Sequence, residues 1–239
     1  VGANDPSTCS GQAIRPRGQS TLPTVIIGAR VTPFELETGM DIKNVVFDFG
    51  GVLIDWNPRY LYREVFDDED AMERFLSDVC SNEWNGRVDA GHPTDKATVE
   101  LQAQFPEYHD LIGMYYGQWI RMIGGEIETN TSLLAPLRKR HRLFGLTNWS
   151  RETFAIVLEK YSFFREFDGI VVSGHEGVTK PNRRIYELLL TRYGLKAGEC
   201  LFIDDNRVNT DAAQALGFGT IHLGPGVDLA AELSKRGLL

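Results

Sequence analysis

The sequence predicts an α/β protein, a doubly wound parallel sheet carrying an inserted helical subdomain. Two observations lead there. From Lys43 onward, short apolar runs alternate with amphipathic stretches of helical period, the signature of a parallel sheet covered on both faces. One interval of roughly ninety residues after the first run shows helical pattern alone, too long for a single crossover connection.

Residues 1–39 come first and differ from the rest. Ser, Thr, Pro and Gly are frequent, periodicity is absent, and Val25-Ile26-Ile27 is the sole apolar patch, so a poorly ordered N-terminal extension is expected. The stretch lacks the continuous apolar run of a secretory signal, and Arg15, Arg17 and Arg30 give it a weak resemblance to a transit peptide. Met40 directly precedes the first strand and is read as the native start, which mass spectrometry of the native N-terminus tests.

Val45-Val46-Phe47 is the first strand. Helical patterns follow at 59–66, 70–80, 93–104 and 108–123, while 84–91 reads as a loop in which Asp89 or Thr94 caps the helix after Pro93. The expected division is therefore a Rossmann-like core over 40–55 and 130–239 and a helical cap over 56–129. Inserted after the first strand, the cap would sit above the strand ends as a lid. Leu143-Phe144-Gly145-Leu146, Gly169-Ile170-Val171-Val172, Leu201-Phe202-Ile203 and Thr220-Ile221-His222-Leu223 supply the other strands. Amphipathic stretches at 151–161, 183–193 and 207–216 separate them, with turn signals at Tyr193-Gly194 and Leu216-Gly217.

Composition narrows the function classes. With 239 residues, 42% hydrophobic and 24% charged, the chain is long enough to bury a substantial core. A net charge of −8 argues against a nucleic-acid partner, because such surfaces depend on clustered Lys and Arg. The basic run Arg138-Lys139-Arg140-His141-Arg142 reads as a solvated helix end. Cys9, Cys80 and Cys200 show no CxxC spacing, which points to free thiols in a reducing compartment, the cytoplasm. No apolar run approaches the roughly 20 residues that span a bilayer, so no membrane association is expected, and the oligomeric state is read as monomer or homodimer.

Four segments carry chemistry. Val45-Val46-Phe47-Asp48-Phe49-Gly50-Gly51 is a strand ending in a carboxylate, which in a parallel sheet points into the ligand crevice as a nucleophile or metal ligand, or else caps the following turn. Leu146-Thr147-Asn148 ends a second strand with a hydroxyl and an amide suited to a phosphate oxygen, while Asn148 or Ser150 also serves to cap the next helix. In Thr179-Lys180-Pro181, Lys180 precedes a proline that starts a helix and is fixed in a loop where it neutralises a carboxylate and a phosphate together. Phe202-Ile203-Asp204-Asp205 ends a third strand in two acids. Facing Asp48, these either bind a cation, with all-oxygen ligands favouring Mg²⁺, or cap the following helix.

The order strand-Asp, strand-Thr-Asn, Lys-Pro and strand-Asp-Asp resembles the haloacid dehalogenase superfamily over about residues 42–224. The resemblance is strongest to the branch with a helical cap after the first motif and an Asp-Asp fourth motif, which includes small sugar-phosphate phosphatases. It implies a Mg²⁺-dependent phosphatase acting on a small phosphorylated metabolite, a sugar phosphate by preference, through an aspartyl-phosphate intermediate. Asp48 then corresponds to the nucleophile and a metal ligand, and Gly50 to a metal-binding carbonyl. Thr147, Asn148 and Lys180 correspond to the phosphate-binding residues, with Lys180 also catalytic. Asp205 matches the direct metal ligand and Asp204 a second ligand or its supporting partner, while Asn209 stands where many relatives carry another acid.

One position departs from the pattern. Most phosphatases of this superfamily have a second aspartate two residues after the nucleophile as general acid and base, and here that residue is Gly50. Asp55, Asp89 and His92 are the candidates to replace it. An L-2-haloacid dehalogenase, which also lacks that aspartate, is the first alternative, and a weakly active binding or regulatory protein the second. The cap should choose the substrate, with Trp56, Trp84, Arg87 and Trp119 as the residues to inspect.

Overall fold

The computed structural model describes residues 41–239, so the expectations for residues 1–39 and for Met40 lie outside the described residues. Five strands form one all-parallel sheet in the order β5-β4-β1-β6-β7, comprising β1 (Asn44–Phe47), β4 (Arg142–Thr147), β5 (Gly169–Val172), β6 (Cys200–Asp204) and β7 (Gly219–His222). Each expected strand is present, shifted by a residue at most. The remaining two, β2 (Ile54–Trp56) and β3 (Ile123–Glu126), pair antiparallel in a separate ribbon.

Period-two alternation divides the sheet's apolar side chains between its faces. Val45, Phe47, Leu143, Leu201 and Ile203 pack with Phe154 and Val157 of helix Arg151–Lys160. Val46, Phe144, Leu146 and Phe202 pack instead with Ile185, Tyr186 and Leu189 of helix Arg183–Tyr193 and Ala213 of helix Arg207–Ala215. The sheet is therefore covered on both sides, as the alternation of elements requires. Burial of this size carries the strands' stability, since a parallel strand is buried on both faces.

The interval between β2 and β3 is helical, as expected, but its helices are shorter and more broken. Helix Arg59–Tyr62 stops a turn early, helix Glu69–Arg74 runs into a π-helical turn at Phe75–Val79, and helix His109–Gly117 gives way to a 3-10 turn at Trp119–Met122 before β3. The segment read as a loop at 84–91 is mostly helix Asn82–Asp89, started by Ser81, whose Oγ accepts from the Trp84 N–H at 3.2 Å. An N-cap acceptor of this kind is worth about 1 kcal/mol, enough to offset Gly86 within the helix. Neither Asp89 nor Thr94 caps the next helix, Thr94–Gln104, whose N-cap is Pro93. The Lys180-Pro181 pair likewise does not start a helix, because Asn182 takes that role by accepting from the Arg184 N–H. Among the described residues, no helix is long and apolar enough to cross a membrane, and Cys80 and Cys200 are buried free thiols.

Candidate active site

Asp48 follows the central strand β1 directly, and its position is fixed from both sides. Its main-chain N–H donates to the Ile203 carbonyl at 2.8 Å, while its Oδ1 accepts from the Phe49 N–H at 2.8 Å. The turn beyond is held by the Phe49 carbonyl, which accepts from the Leu53 and Ile54 N–H groups at 2.8 Å each. The Phe49 ring lies across β4, so close to Gly145 that a Cβ there would meet it at 2.2 Å. The strand sequence Leu143-Phe144-Gly145 thus admits the aromatic side chain that anchors the Asp48 turn.

Lys180 is the hub of the site. Its fully buried ammonium donates to Asp204 Oδ2 at 2.6 Å and lies 2.9 Å from Asp48 Oδ2. Asn148 fixes the Lys180 main chain from both ends, its Oδ1 accepting from the Lys180 N–H at 2.7 Å and its Nδ2 donating to the Lys180 carbonyl at 3.0 Å. Asn148 therefore ties the end of β4 to the lysine loop, and Ser150 alone caps the helix that follows, its Oγ accepting from the Thr153 N–H at 3.1 Å. Asp204 is fully buried and satisfied on both oxygens. Oδ1 accepts from the Asn206 N–H at 2.8 Å, and Asn209 Nδ2 reaches both oxygens at 3.1 Å.

The electrostatics follow from burying two acids, Asp48 and Asp204, beside one base, with the exposed Asp205 close by. Burial, opposed by Lys180 and reinforced by Asp204 and Asp205, raises the Asp48 carboxyl well above the usual carboxylate range. Burial, then Asp204, also raises Asp205. Burial opposes the charge on Lys180, yet Asp48 and Asp204 more than offset this and hold its ammonium above the usual range. One oxygen from each of Asp48, Asp204 and Asp205 fits within 4.8 Å, so acidic charge is concentrated on one lysine. The donor set is all oxygen and fits a hard divalent cation such as Mg²⁺.

Gly51 completes the crowding. Its φ is +70° and a Cβ on it would stand 2.3 Å from Asp205 Oδ2. Gly51→Ala is expected to cost about 1–2 kcal/mol through the left-handed backbone alone and to displace the Asp205 carboxylate. Thermal melts and isothermal titration with MgCl₂ check both, the expected result being a lower melting temperature together with weaker cation binding.

Beside Gly50, two residues after Asp48, opens a pocket lined by Gly50, Trp56, Asn85, Asp89, Tyr116 and Trp119, and from the core by Asn148, Trp149, Ser150 and Thr153. Thr147, the last residue of β4, is buried, and among the described residues its Oγ1 has no hydrogen-bond partner, an orphaned polar atom that a bound ligand can satisfy. Of the four residues marked for inspection, Trp56 and Trp119 line the pocket. Trp84 does not, being buried against Tyr115 and Tyr116 with its Nε1–H donating to the Ala97 carbonyl at 3.2 Å, and Arg87 is exposed away from it. Of the three candidates to replace the missing acid, only Asp89 faces the pocket. Asp55 accepts from the Tyr60 hydroxyl at 2.6 Å and His92 lies 3.0 Å from Glu100. Trp149, Asn85 and Tyr116 join the lining with no sequence signal for it, and Ser150, expected only as a helix cap, joins it as well. Asn85 and Asp89 share a helix face by their i,i+4 spacing, which a loop reading hides.

A family model for haloacid dehalogenase-like hydrolases matches residues 42–217. A sesquiterpene phosphatase of Aspergillus oryzae is 29% identical, covering 81% of this chain and 95% of its own. A D-ribitol-5-phosphate phosphatase of Bacteroides thetaiotaomicron is 25% identical over 81% of this chain and 97% of its own. The fold matches that of a HAD family enzyme from the same bacterium, solved in complex with magnesium and inorganic phosphate, with a TM-score of 0.62 and 21% identity over 80% of this chain and 98% of that one.

Proposed function

The chain belongs to the haloacid dehalogenase-like hydrolases, and on that premise we propose that it is a magnesium-dependent phosphomonoesterase acting on a small phosphorylated metabolite. The observation that carries this reading is the sharing of the buried Lys180 ammonium between Asp48 at 2.9 Å and Asp204 at 2.6 Å, with Asp205 in the same cluster. Phosphatase activity in curated relatives that align over four-fifths of the chain supports it.

In this reading Asp48 attacks phosphorus in line with the departing oxygen and carries the phosphoryl group until water removes it. Lys180 orients the Asp48 carboxylate and offsets the charge gathering on the phosphoryl oxygens. Thr147 and the segment around Asn148 hold those oxygens. Asp48, Asp205 and the Gly50 carbonyl would hold Mg²⁺, which supplies charge neutralisation and polarises the phosphoryl group when bound. Asp204 acts mainly by locking Lys180, since both its oxygens are already engaged. The helical segment between β2 and β3 serves as the cap that closes the pocket over the leaving group.

A sugar phosphate remains the first substrate class, served by the polar groups of Asn85, Asp89 and Asn148 on the pocket wall. A second reading, a monophosphate with an apolar leaving group, is favoured by the four aromatic walls Trp56, Tyr116, Trp119 and Trp149. A dehalogenase is disfavoured, because two further carboxylates beside Asp48 repel a carboxylate-bearing substrate. The test is a panel of p-nitrophenyl phosphate, sugar phosphates, farnesyl monophosphate and L-2-chloropropionate, each with Mg²⁺ and with EDTA. Phosphate release that EDTA abolishes is the expected result, and halide release unaffected by EDTA overturns the reading.

A further inference from the structure

Hydrolysis of a phosphate ester by attack from Asp48 needs a proton for the departing alkoxide and, in the second half, a base to take one from water. Among the described residues, the groups around Asp48 are committed elsewhere, Asp205 to the cation in the reading above. Lys180 is sealed between two carboxylates, Asp204 accepts from three groups, and residue 50, which lines the pocket next to the nucleophile, has no side chain.

We propose that Asp89, at the C-terminal end of helix Asn82–Asp89 and in the wall of the pocket that Gly50 also lines, is the general acid and base of the reaction. This rests on the phosphatase reading above and supplies the residue that reading lacks. The side chain is held rather than loose. Tyr116 Oη–H donates to Asn85 Oδ1 at 2.9 Å, and Asn85 Nδ2 donates to Asp89 Oδ2 at 3.0 Å. Its main chain is pinned to the core, with Ser173 Oγ donating to the Asp89 carbonyl at 2.5 Å and Arg151 Nη2 donating to the Gly91 carbonyl at 2.7 Å. Nothing outside the neighbouring residues lies within 4 Å of where a Cβ on Gly50 would be, so the pocket that Gly50 and Asp89 both line is open beside the residue two places after Asp48.

The chemistry of the group matches the task. Burial, with the charge on Asp48 adding to it, raises the Asp89 carboxyl to about 7 against the opposing pull of the Ser150 main chain and Lys180. The carbonyl end of its own helix opposes its ionisation as well. An acid poised near neutrality both gives and takes protons efficiently. The cycle balances as follows. The Asp48–phosphorus bond forms and the ester oxygen–phosphorus bond breaks as the Asp89 proton passes to that oxygen, releasing the alcohol. Water then bonds to phosphorus while its proton passes to the Asp89 carboxylate, the Asp48–phosphorus bond breaks, and both residues return to their starting state.

The test compares Asp89→Asn with wild type by stopped flow and rapid quench in Mg²⁺, using p-nitrophenyl phosphate, whose leaving group needs no proton, and an alkyl phosphate, whose leaving group does. Asp89→Asn is expected to keep a burst of one p-nitrophenolate per active site at the wild-type rate. Its steady-state turnover should fall by about 10²–10⁴-fold on both esters, with no burst from the alkyl phosphate. The burst counts folded sites, so a misfolded variant cannot imitate this result. Turnover within twofold of wild type on both esters overturns the proposal, and so does equal loss of the burst and of alkyl cleavage, which marks a purely structural role. A wild-type enzyme that releases phosphate from neither ester, with Asp48→Asn indistinguishable from it, overturns the phosphatase reading and this proposal together.

Discussion

Lys180→Met is expected to lower folding stability by about 3–5 kcal/mol, the usual cost of removing one partner from a buried ion pair. The ammonium is fully buried and touches both Asp48 and Asp204. Its removal leaves two buried carboxylates facing each other with no counter-charge, while methionine fills much the same volume, so charge rather than a cavity accounts for the loss. The urea midpoint measures it. Adding Asp204→Asn to Lys180→Met should return part of the stability, because the double variant no longer holds the second unpaired carboxylate, and this non-additivity distinguishes an electrostatic hub from a packing residue.

Asp48→Asn is the second large effect. The amide keeps the shape of the side chain and its acceptor for the Phe49 N–H, but it cannot attack phosphorus. Turnover should fall by about a thousandfold or more. Asp204 still pairs Lys180 at 2.6 Å, so the variant is expected to fold cooperatively and to bind inorganic phosphate. Steady-state kinetics with p-nitrophenyl phosphate and a phosphate-binding titration check the two halves separately.

The fold was legible because each sheet strand is a local run whose burial on two faces forces it to be apolar throughout, as in Val45-Val46-Phe47 and Leu201-Phe202-Ile203. Helices with strong apolar stripes, such as Arg183–Tyr193 and Arg207–Ala215, were equally readable. The β2–β3 ribbon was not. Ile54-Asp55-Trp56 is three residues long and finds its partner at Ile123–Glu126, a pairing decided by tertiary contact that no local pattern records. Helix Asn82–Asp89 was masked by its polar sequence and Gly86, and its start depends on a single hydroxyl, that of Ser81.

The site divides in the same way. Asp48, Lys180, Asp204 and Asp205 announce themselves because acids and bases at strand ends have few structural explanations when four occur in order. Their division of labour comes only from geometry. Nothing in the sequence shows that Asn148 spends its amide on the Lys180 main chain, that Asp204 is saturated by Asn206, Asn209 and Lys180, or that Gly51 is a glycine so that Asp205 can approach. Trp56, at the end of β2, and Trp119, in the 3-10 turn before β3, reach the pocket while Trp84, in helix Asn82–Asp89, does not, because short elements set by tertiary contact and a helix read as a loop decide which way each ring faces.

The central claim is that Asp48 becomes phosphorylated, and acid-quench mass spectrometry of the enzyme during turnover with Mg²⁺ tests it most directly. The expected result is a peptide spanning Asp48 that gains the mass of one phosphoryl group, located on Asp48 by fragmentation and absent from Asp48→Asn. A phosphoryl group located on any other residue, or turnover of the phosphate ester with Asp48 unmodified throughout a single-turnover time course, would contradict it.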